Sequence, residues 1–301
     1  MKVLVTGGAG FIGHNTAIFL KNHGYEVAAF DNLKRATKFA LERLSIHHVP
    51  LIKGDTLSAK ALKNALAGVD VVVHAAAYIS VEESTRKPAL YFRNNVAGTA
   101  NVADACLRKG IKLIYISSAA VYGNPVALPI SETHPTKPIS PYGLTKLMGE
   151  QAVKFYAEQG LKYAILRLFN VYGPGQSSAY AGVITRFIEN LSKNKPPTIH
   201  GDGQQTRDFI HVYDVAEAIK LAMEKSVENE TINIASGKPT TIKELAQLTI
   251  TQANPNLKPV YAKPRPGDIK HSHADTSKAE RLLGFKPKIN LEQGLKELLK
   301  P

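Results

Sequence analysis

Hydrophobic positions in this chain fall in short, nearly continuous runs separated by longer amphipathic stretches. This is the strand and helix alternation that a parallel sheet requires. The chain opens on MKVLVTGGAGFIG, a β-branched run that breaks into Gly7, Gly10 and Gly13 and continues as a helix. Further strands are predicted over residues 26–31, 50–53, 69–75, 112–117 and 163–169. None alternates strictly, so both faces of the sheet should be covered. Helical patterns lie between them at 58–67, 91–109 and 142–159, with Gly160 as a stop. The expected class is α/β, a doubly wound Rossmann-type parallel sheet.

The pattern changes after about Asn170. Pro and Gly cluster at 172–176, 195–203 and 263–268, with shorter elements between them. A smaller lobe is expected over 171–301, beside a dinucleotide-binding domain over 1–170. The two should be interleaved, because 230–235 reads as another sheet strand and the segment from about 205 to 235 as returning to the first domain. No linker separates them, so they should share a cleft.

The three glycines have separable tasks. Gly7 permits a tight turn, Gly10 lets backbone approach a ligand, and Gly13 lets the helix pack on the strand; the helix N-terminus then offers N–H groups to a pyrophosphate. Asp31, closing the second strand, is placed to hold a ribose diol.

At 301 residues and 44% apolar content the chain has the size and composition of a globular protein of one large or two intimate domains. No apolar run is long enough for a membrane span, and the glycine-broken N-terminus does not read as a signal peptide. The single cysteine, Cys106, suits a buried thiol in a reducing cytosol. A net charge of +13 raises the question of a polyanionic partner, but the basic residues are scattered, without the arm or aromatic-interleaved patch of nucleic-acid modules. The expectation is a solvated basic surface whose field attracts small anions such as nucleotides. The histidines, His47-His48 included, form no metal-ligand pattern.

The 112–117 strand leads into Ser118, and the 142–159 helix opens with Tyr142 and Lys146, one turn apart on one face. For a phenol to act as a base near neutrality its pKa must fall by roughly three units, about 4 kcal/mol. An ammonium and the positive ring of an oxidised nicotinamide both push that way. With Ser118 bonded to the same substrate oxygen, the three would deprotonate a hydroxyl while hydride leaves its carbon.

With these residues in place, the chain resembles an extended short-chain dehydrogenase/reductase of the nucleotide-sugar epimerase and dehydratase group, and within it is most similar to the UDP-glucose (UDP-galactose) 4-epimerases. The resemblance runs nearly end to end. It is carried by TGGAGFIG, Asp31-Asn32, Gly54-Asp55, HAAA at 74–77, NNVAGT at 94–99, SSAAVYG at 117–123, YGLTK at 142–146, RLFNVYGP at 167–174, QTRDFIHV at 205–212 and RPGD at 265–268.

The resemblance implies NAD as cofactor, Tyr142 as base, Lys146 at the nicotinamide ribose and Ser118 at the sugar 4-hydroxyl. It puts Gly7, Gly10, Phe11, Ile12 and Gly13 at the pyrophosphate, Asp31 and Asn32 at the adenine-side ribose, and Asp55 and Thr56 near adenine. Ala75, Ala76, Ala77, Asn95, Ser117 and Phe169 would lie along the cofactor. Asp31 would repel a 2′-phosphate and favour NAD over NADP, although Lys34 and Arg35 stand close by. Toward the substrate it implies Asn170, Val183, His200 against the base, Gln205, Arg207, Arg265 and Asp268, the arginines gripping phosphates through their fixed fork of donors.

Residues 119 and 120 decide most within the group. Dehydratases carry an Asp-Glu pair there and nucleotide-sugar decarboxylases a Glu, whereas this chain has Ala119 and Ala120. Reversible oxidation at C4 of a UDP-hexose is the reaction implied, in a cytosolic homodimer paired through the 91–109 and 142–159 helices. The alternatives are the same chemistry on UDP-N-acetylglucosamine or UDP-glucuronate, or a nucleotide-binding regulator without turnover.

Overall fold

The computed structural model describes residues 1–177, 182–225, 227–265 and 267–299. Pro266, within the RPGD segment, lies outside them. Seven parallel strands form the main sheet in the order β10-β6-β5-β4-β1-β2-β3. These are β1 (Lys2–Thr6), β2 (Glu26–Asp31), β3 (Leu51–Lys53), β4 (Val71–His74), β5 (Lys112–Ser118), β6 (Tyr163–Leu168) and β10 (Glu230–Ile234). In order between them and after come β7 (Asn170–Tyr172), β8 (Thr198–His200), β9 (Thr206–His211), β11 (Pro239–Thr241) and β12 (Val260–Ala262). β1 is flanked by β2 on one side and β4 on the other, so the winding reverses there. A ligand crevice opens at such a point, beyond the carboxyl ends of the strands.

The missing alternation in the strands has a direct cause. Val3, Val5, Val71, Val73, Ile114 and Ile116 pack into one core, while Leu4, Val72, Leu113 and Tyr115 pack into another on the opposite face. The first core is closed by α1 (Phe11–Asn22), α2 (Lys38–Ile46), α9 (Val212–Glu224) and α11 (Ser277–Leu283); the second by α3 (Ala59–Ala65), α6 (Gly98–Lys109) and α7 (Pro141–Ala157). α7 starts where expected. Ser140 caps it by accepting from Gly143 N at 3.1 Å, with Pro141 in the first turn.

The helix expected over 91–109 is not continuous. After α4 (Val81–Arg86) and α5 (Pro88–Tyr91), residues Phe92–Ala97 form a π-helical turn before α6 begins. The side chains explain the widened turn. Thr99 Oγ1 donates to the Asn95 carbonyl at 2.5 Å, and the Asn95 amide bridges outward, donating to Tyr78 O at 2.9 Å and Thr145 Oγ1 at 3.0 Å. Such turns recur at functional sites.

Beyond the main sheet, β11-β9-β7 form a three-stranded sheet and β12-β8 a parallel pair. With α8 (Val183–Ser192), α10 (Ile242–Ala253) and α12 (Leu291–Leu299) they enclose a third core around Tyr172, Phe187, Ile199 and Leu245. Asp208 ties this part to the main sheet. Its buried carboxylate accepts from Ser236 N at 2.7 Å, Gly237 N at 3.0 Å and Ala274 N at 3.2 Å. Among the described residues, no helix is long and apolar enough to cross a membrane.

Candidate active site

The glycine turn lies in the crevice beside β1. Gly7 has φ +66°, and a Cβ on it would stand 2.6 Å from Ala76 N, so neither another conformation nor another residue fits. Gly10 caps α1 without a side chain, leaving first-turn N–H groups to an outside acceptor. Gly13 packs on the Gly7 carbonyl, and Phe11 and Ile12 open the helix beside it. Gly7, Gly10, Asp31, Asn32, Thr56 and Ala75, Ala76 and Ala77 all line one trough. Phe30, Arg35, Gly54, Tyr78 and Asn94 complete it.

Asp31 does two things there. It faces the trough, and it braces the turn by accepting from Ala9 N at 3.1 Å and Leu33 N at 2.7 Å. Burial raises its pKa against the pull of those bonds. At Asp55 burial also pushes upward, but donors from Leu57, Lys34 and Asn32 outweigh it and hold the carboxyl below its usual range. Both nearby cations are engaged. Lys34 pairs with Asp55 at 3.2 Å, while Arg35 pairs with Glu83 at 2.7 Å and lies over the Tyr78 ring at 4.0 Å. The donor turn, a cradle that a Cβ would fill and an acid at the second strand's end together fit a dinucleotide.

Three residues expected along the cofactor are turned elsewhere. Ser117 donates its hydroxyl to Glu150 at 2.5 Å on the face opposite to Ser118, since neighbours on a strand point apart. Phe169 packs with Val121, Tyr122 and Ile130. Asn95 is buried, accepting from Tyr78 N at 2.8 Å and so fixing the loop after β4, while its neighbour Asn94 reaches the trough.

Ser118 ends β5, and its Oγ accepts from Ala120 N at 3.1 Å, which starts a 3-10 turn over Ala119–Val121. Burial raises the Tyr142 phenol and a hydrogen bond with Ser118 lowers it, with a net upward shift. Lys146 is 4% exposed, with its ammonium 4.4 Å from the Tyr115 ring centroid. Burial pushes it down to about 7 while Glu150 opposes. Ser118 alone does not outweigh burial at Tyr142, which leaves the rest of the downward push expected there to the ammonium and the oxidised nicotinamide. Behind them His74 is held between Thr6 Oγ1 at 2.6 Å and Thr99 Oγ1 at 3.0 Å, and burial, with the Lys146 charge, takes it down to about 3.

A second cleft, of about 690 Å³, collects every other residue expected at the substrate: Asn170, Val183, His200, Gln205, Arg207, Arg265 and Asp268. Arg207 is oriented in advance, donating to Asp268 Oδ1 at 2.5 Å and to Thr206 O at 2.8 Å. Gln205 Nε2 donates to His200 O at 2.7 Å. Burial lowers Arg265, and Arg186 adds a like charge. Arg186 had no motif to announce it. It lies on α8, whose apolar side carries Ile184, Phe187 and Leu191 into the core while Arg186 and Asn190 face the cleft.

One segment joins these parts. Tyr78 lines the trough, Ile79 and Val81 line the cleft, and Ser84 Oγ accepts from Tyr142 N at 3.1 Å while donating to Val81 O at 2.6 Å. The arrangement sets a trough that fits a dinucleotide beside an arginine-lined cleft suited to an anionic ligand.

Comparison with known proteins agrees. The model of the NAD dependent epimerase/dehydratase family matches residues 3–235, and the chain belongs to that family. A putative UDP-glucose 4-epimerase of Methanocaldococcus jannaschii is 40% identical over 301 residues, covering 99% of this chain and 97% of the relative. Among solved structures, the UDP-glucose 4-epimerase of Thermotoga maritima with UDP-glucose superposes with a TM-score of 0.94 at 37% identity, covering 99% of this chain and 97% of that one. The UDP-N-acetylglucosamine 4-epimerase of Methanobrevibacter ruminantium, in complex with UDP-N-acetylmuramic acid, gives 0.93 at 37%, covering 99% and 96%.

Proposed function

We propose that this protein interconverts UDP-glucose and UDP-galactose by reversible oxidation at C4, with NAD retained between turnovers. The observation that carries the reading is the pairing of an arginine-rich cleft with a Ser118-Tyr142 hydroxyl pair that has alanines, and no acid, at 119 and 120.

The chain's residues divide the work as follows. Gly7, Gly10 and Asp31 hold the pyrophosphate and adenosine ribose, and Lys146 holds the nicotinamide ribose. NAD, when bound, supplies the hydride acceptor and donor and a positive charge that lowers the phenol. Ser118 hydrogen-bonds the C4 oxygen, and Tyr142 takes its proton and later returns it. Arg207 and Arg265 grip the diphosphate, so the nucleotide stays while the 4-keto sugar turns. An eliminating or decarboxylating enzyme would need a further acid or base; Glu150, the next acid along α7, is occupied by Arg167 at 2.7 Å.

UDP-N-acetylglucosamine is the second substrate to compare, because an epimerase named for it superposes almost as well as one named for UDP-glucose. A panel of UDP- and dTDP-sugars followed by NMR tests the reading. C4 inversion of a UDP-hexose supports it. Dehydration or decarboxylation, or NAD binding with no sugar converted, would reject it, the last in favour of a regulator.

A further inference from the structure

Tyr142, Lys146 and Glu150 stand at successive four-residue steps on α7 and so project from one face. Glu150 is 1% exposed. Both of its oxygens are held: Arg167 Nε donates to Oε1 at 2.9 Å, Arg167 Nη2 to Oε2 at 2.7 Å, and Ser117 Oγ to Oε1 at 2.5 Å. The guanidinium is aligned in turn, its Nη1 donating to Tyr122 Oη at 3.0 Å and Glu132 O at 3.2 Å. Donors on both oxygens fix the carboxylate in place.

Lys146 is surrounded differently. From β4 it faces His74, kept neutral between two threonine hydroxyls; from β5 it faces the Tyr115 ring; from α7 itself it faces Tyr142 and Glu150. Arg167, on β6, pairs with Glu150. Glu150 is the one carboxylate in the set.

We propose that Glu150, clamped by Arg167 and Ser117, is a positioning residue whose carboxylate is the counter-charge that keeps Lys146 protonated while Tyr142 exchanges its proton. This rests on the roles of Tyr142 and Lys146 given under the proposed function. An unpaired buried ammonium would shed its proton. Glu150 is the group that opposes the downward push of burial on Lys146. Without a charged Lys146 the phenol loses an aid to ionisation and the nicotinamide ribose a charged donor.

The test reads the lysine directly. As-purified protein labelled with carbon-13 at lysine Cε is titrated by NMR, and the Lys146 signal is assigned by its loss in Lys146→Met. In Glu150→Gln the Lys146 midpoint falls by about one pH unit or more, and the alkaline limb of kcat moves down with it, about a tenfold loss at pH 8. Glu150→Asp, which keeps the charge, restores most of the midpoint. Because Glu150→Gln leaves a buried guanidinium without its partner, Glu150→Gln/Arg167→Met is titrated alongside, and its midpoint falls too. A Lys146 midpoint unmoved in either folded variant overturns the proposal. Wild-type protein that converts no UDP-sugar would instead overturn the functional reading, and the lysine titration would still report on Glu150.

Discussion

The carboxylate of Asp31, at the end of the second strand, accepts the backbone N–H of Ala9 in the glycine turn at 3.1 Å. The acid proposed to hold the adenosine ribose therefore also braces the glycine turn. Asp31→Ala removes both functions at once. Purified Asp31→Ala should carry far less NAD than wild type, and its apo form should lose about 1–3 kcal/mol of stability through the unpaired backbone donors. Absorbance of extracted nucleotide and urea unfolding measure the two effects. Unchanged NAD content would place the ribose elsewhere. Because Lys34 and Arg35 are already paired with Asp55 and Glu83, wild type should bind NADP poorly.

Tyr142→Phe keeps the ring and removes the acid-base group. Turnover should fall by about 10²–10⁴-fold, while NAD and UDP binding change little. Stopped-assay kinetics with calorimetric titration of UDP separate the two. An active Tyr142→Phe protein would take the proton transfer away from this residue.

The arginines in the cleft give a graded expectation. Arg207→Met breaks the pair with Asp268 and deletes a forked donor, so UDP affinity should weaken by about 1.5–3 kcal/mol. Arg186→Met relieves the repulsion on Arg265 and should cost less. Titration of UDP into each variant decides the order, and equal losses would show that Arg186 grips the diphosphate as strongly as Arg207.

Acid stability follows from buried imidazoles. Burial takes His74 down to about 3 and His211 down to about 4. Their folded values lie below the unfolded 6.5, so the stability they contribute is complete above pH 6.5 and is lost as pH falls toward those values. Each should cost about 1.4 kcal/mol per pH unit across the window. Urea midpoints should fall steadily from pH 6.5 to 4.5, less steeply in His211→Asn, and a flat profile would contradict these shifts.

The parts of the molecule visible in the sequence are those where backbone chemistry restricts the residue. Gly7 and Gly13 have no substitutes at their positions, and the Tyr142-Lys146 spacing is a property of any helix. Asn170, Gln205, Arg207, Arg265 and Asp268 were legible through motifs, and the structure brings them together in one cleft. What was hidden depended on tertiary direction. Ser117 and Ser118 are indistinguishable as letters, yet they point to opposite faces. The π-turn at Phe92–Ala97 arises from bonds that Asn95 makes to Tyr78 and Thr145, both distant in sequence. Three-residue strands such as β7, β8 and β12 are too short to show a period. The charge balance at Lys146 is set by burial, which spacing does not express.

Inversion at C4 by a resident cofactor leaves a direct signature in the sugars themselves. NAD-loaded protein, freed of unbound nucleotide, is incubated separately with UDP-galactose and UDP-glucose, and the anomeric proton signals are followed by NMR. Both reactions should converge on one mixture of the two sugars, with many turnovers per bound NAD and no net NADH. No interconversion from either side, or conversion that stops after one turnover per NAD, would contradict it.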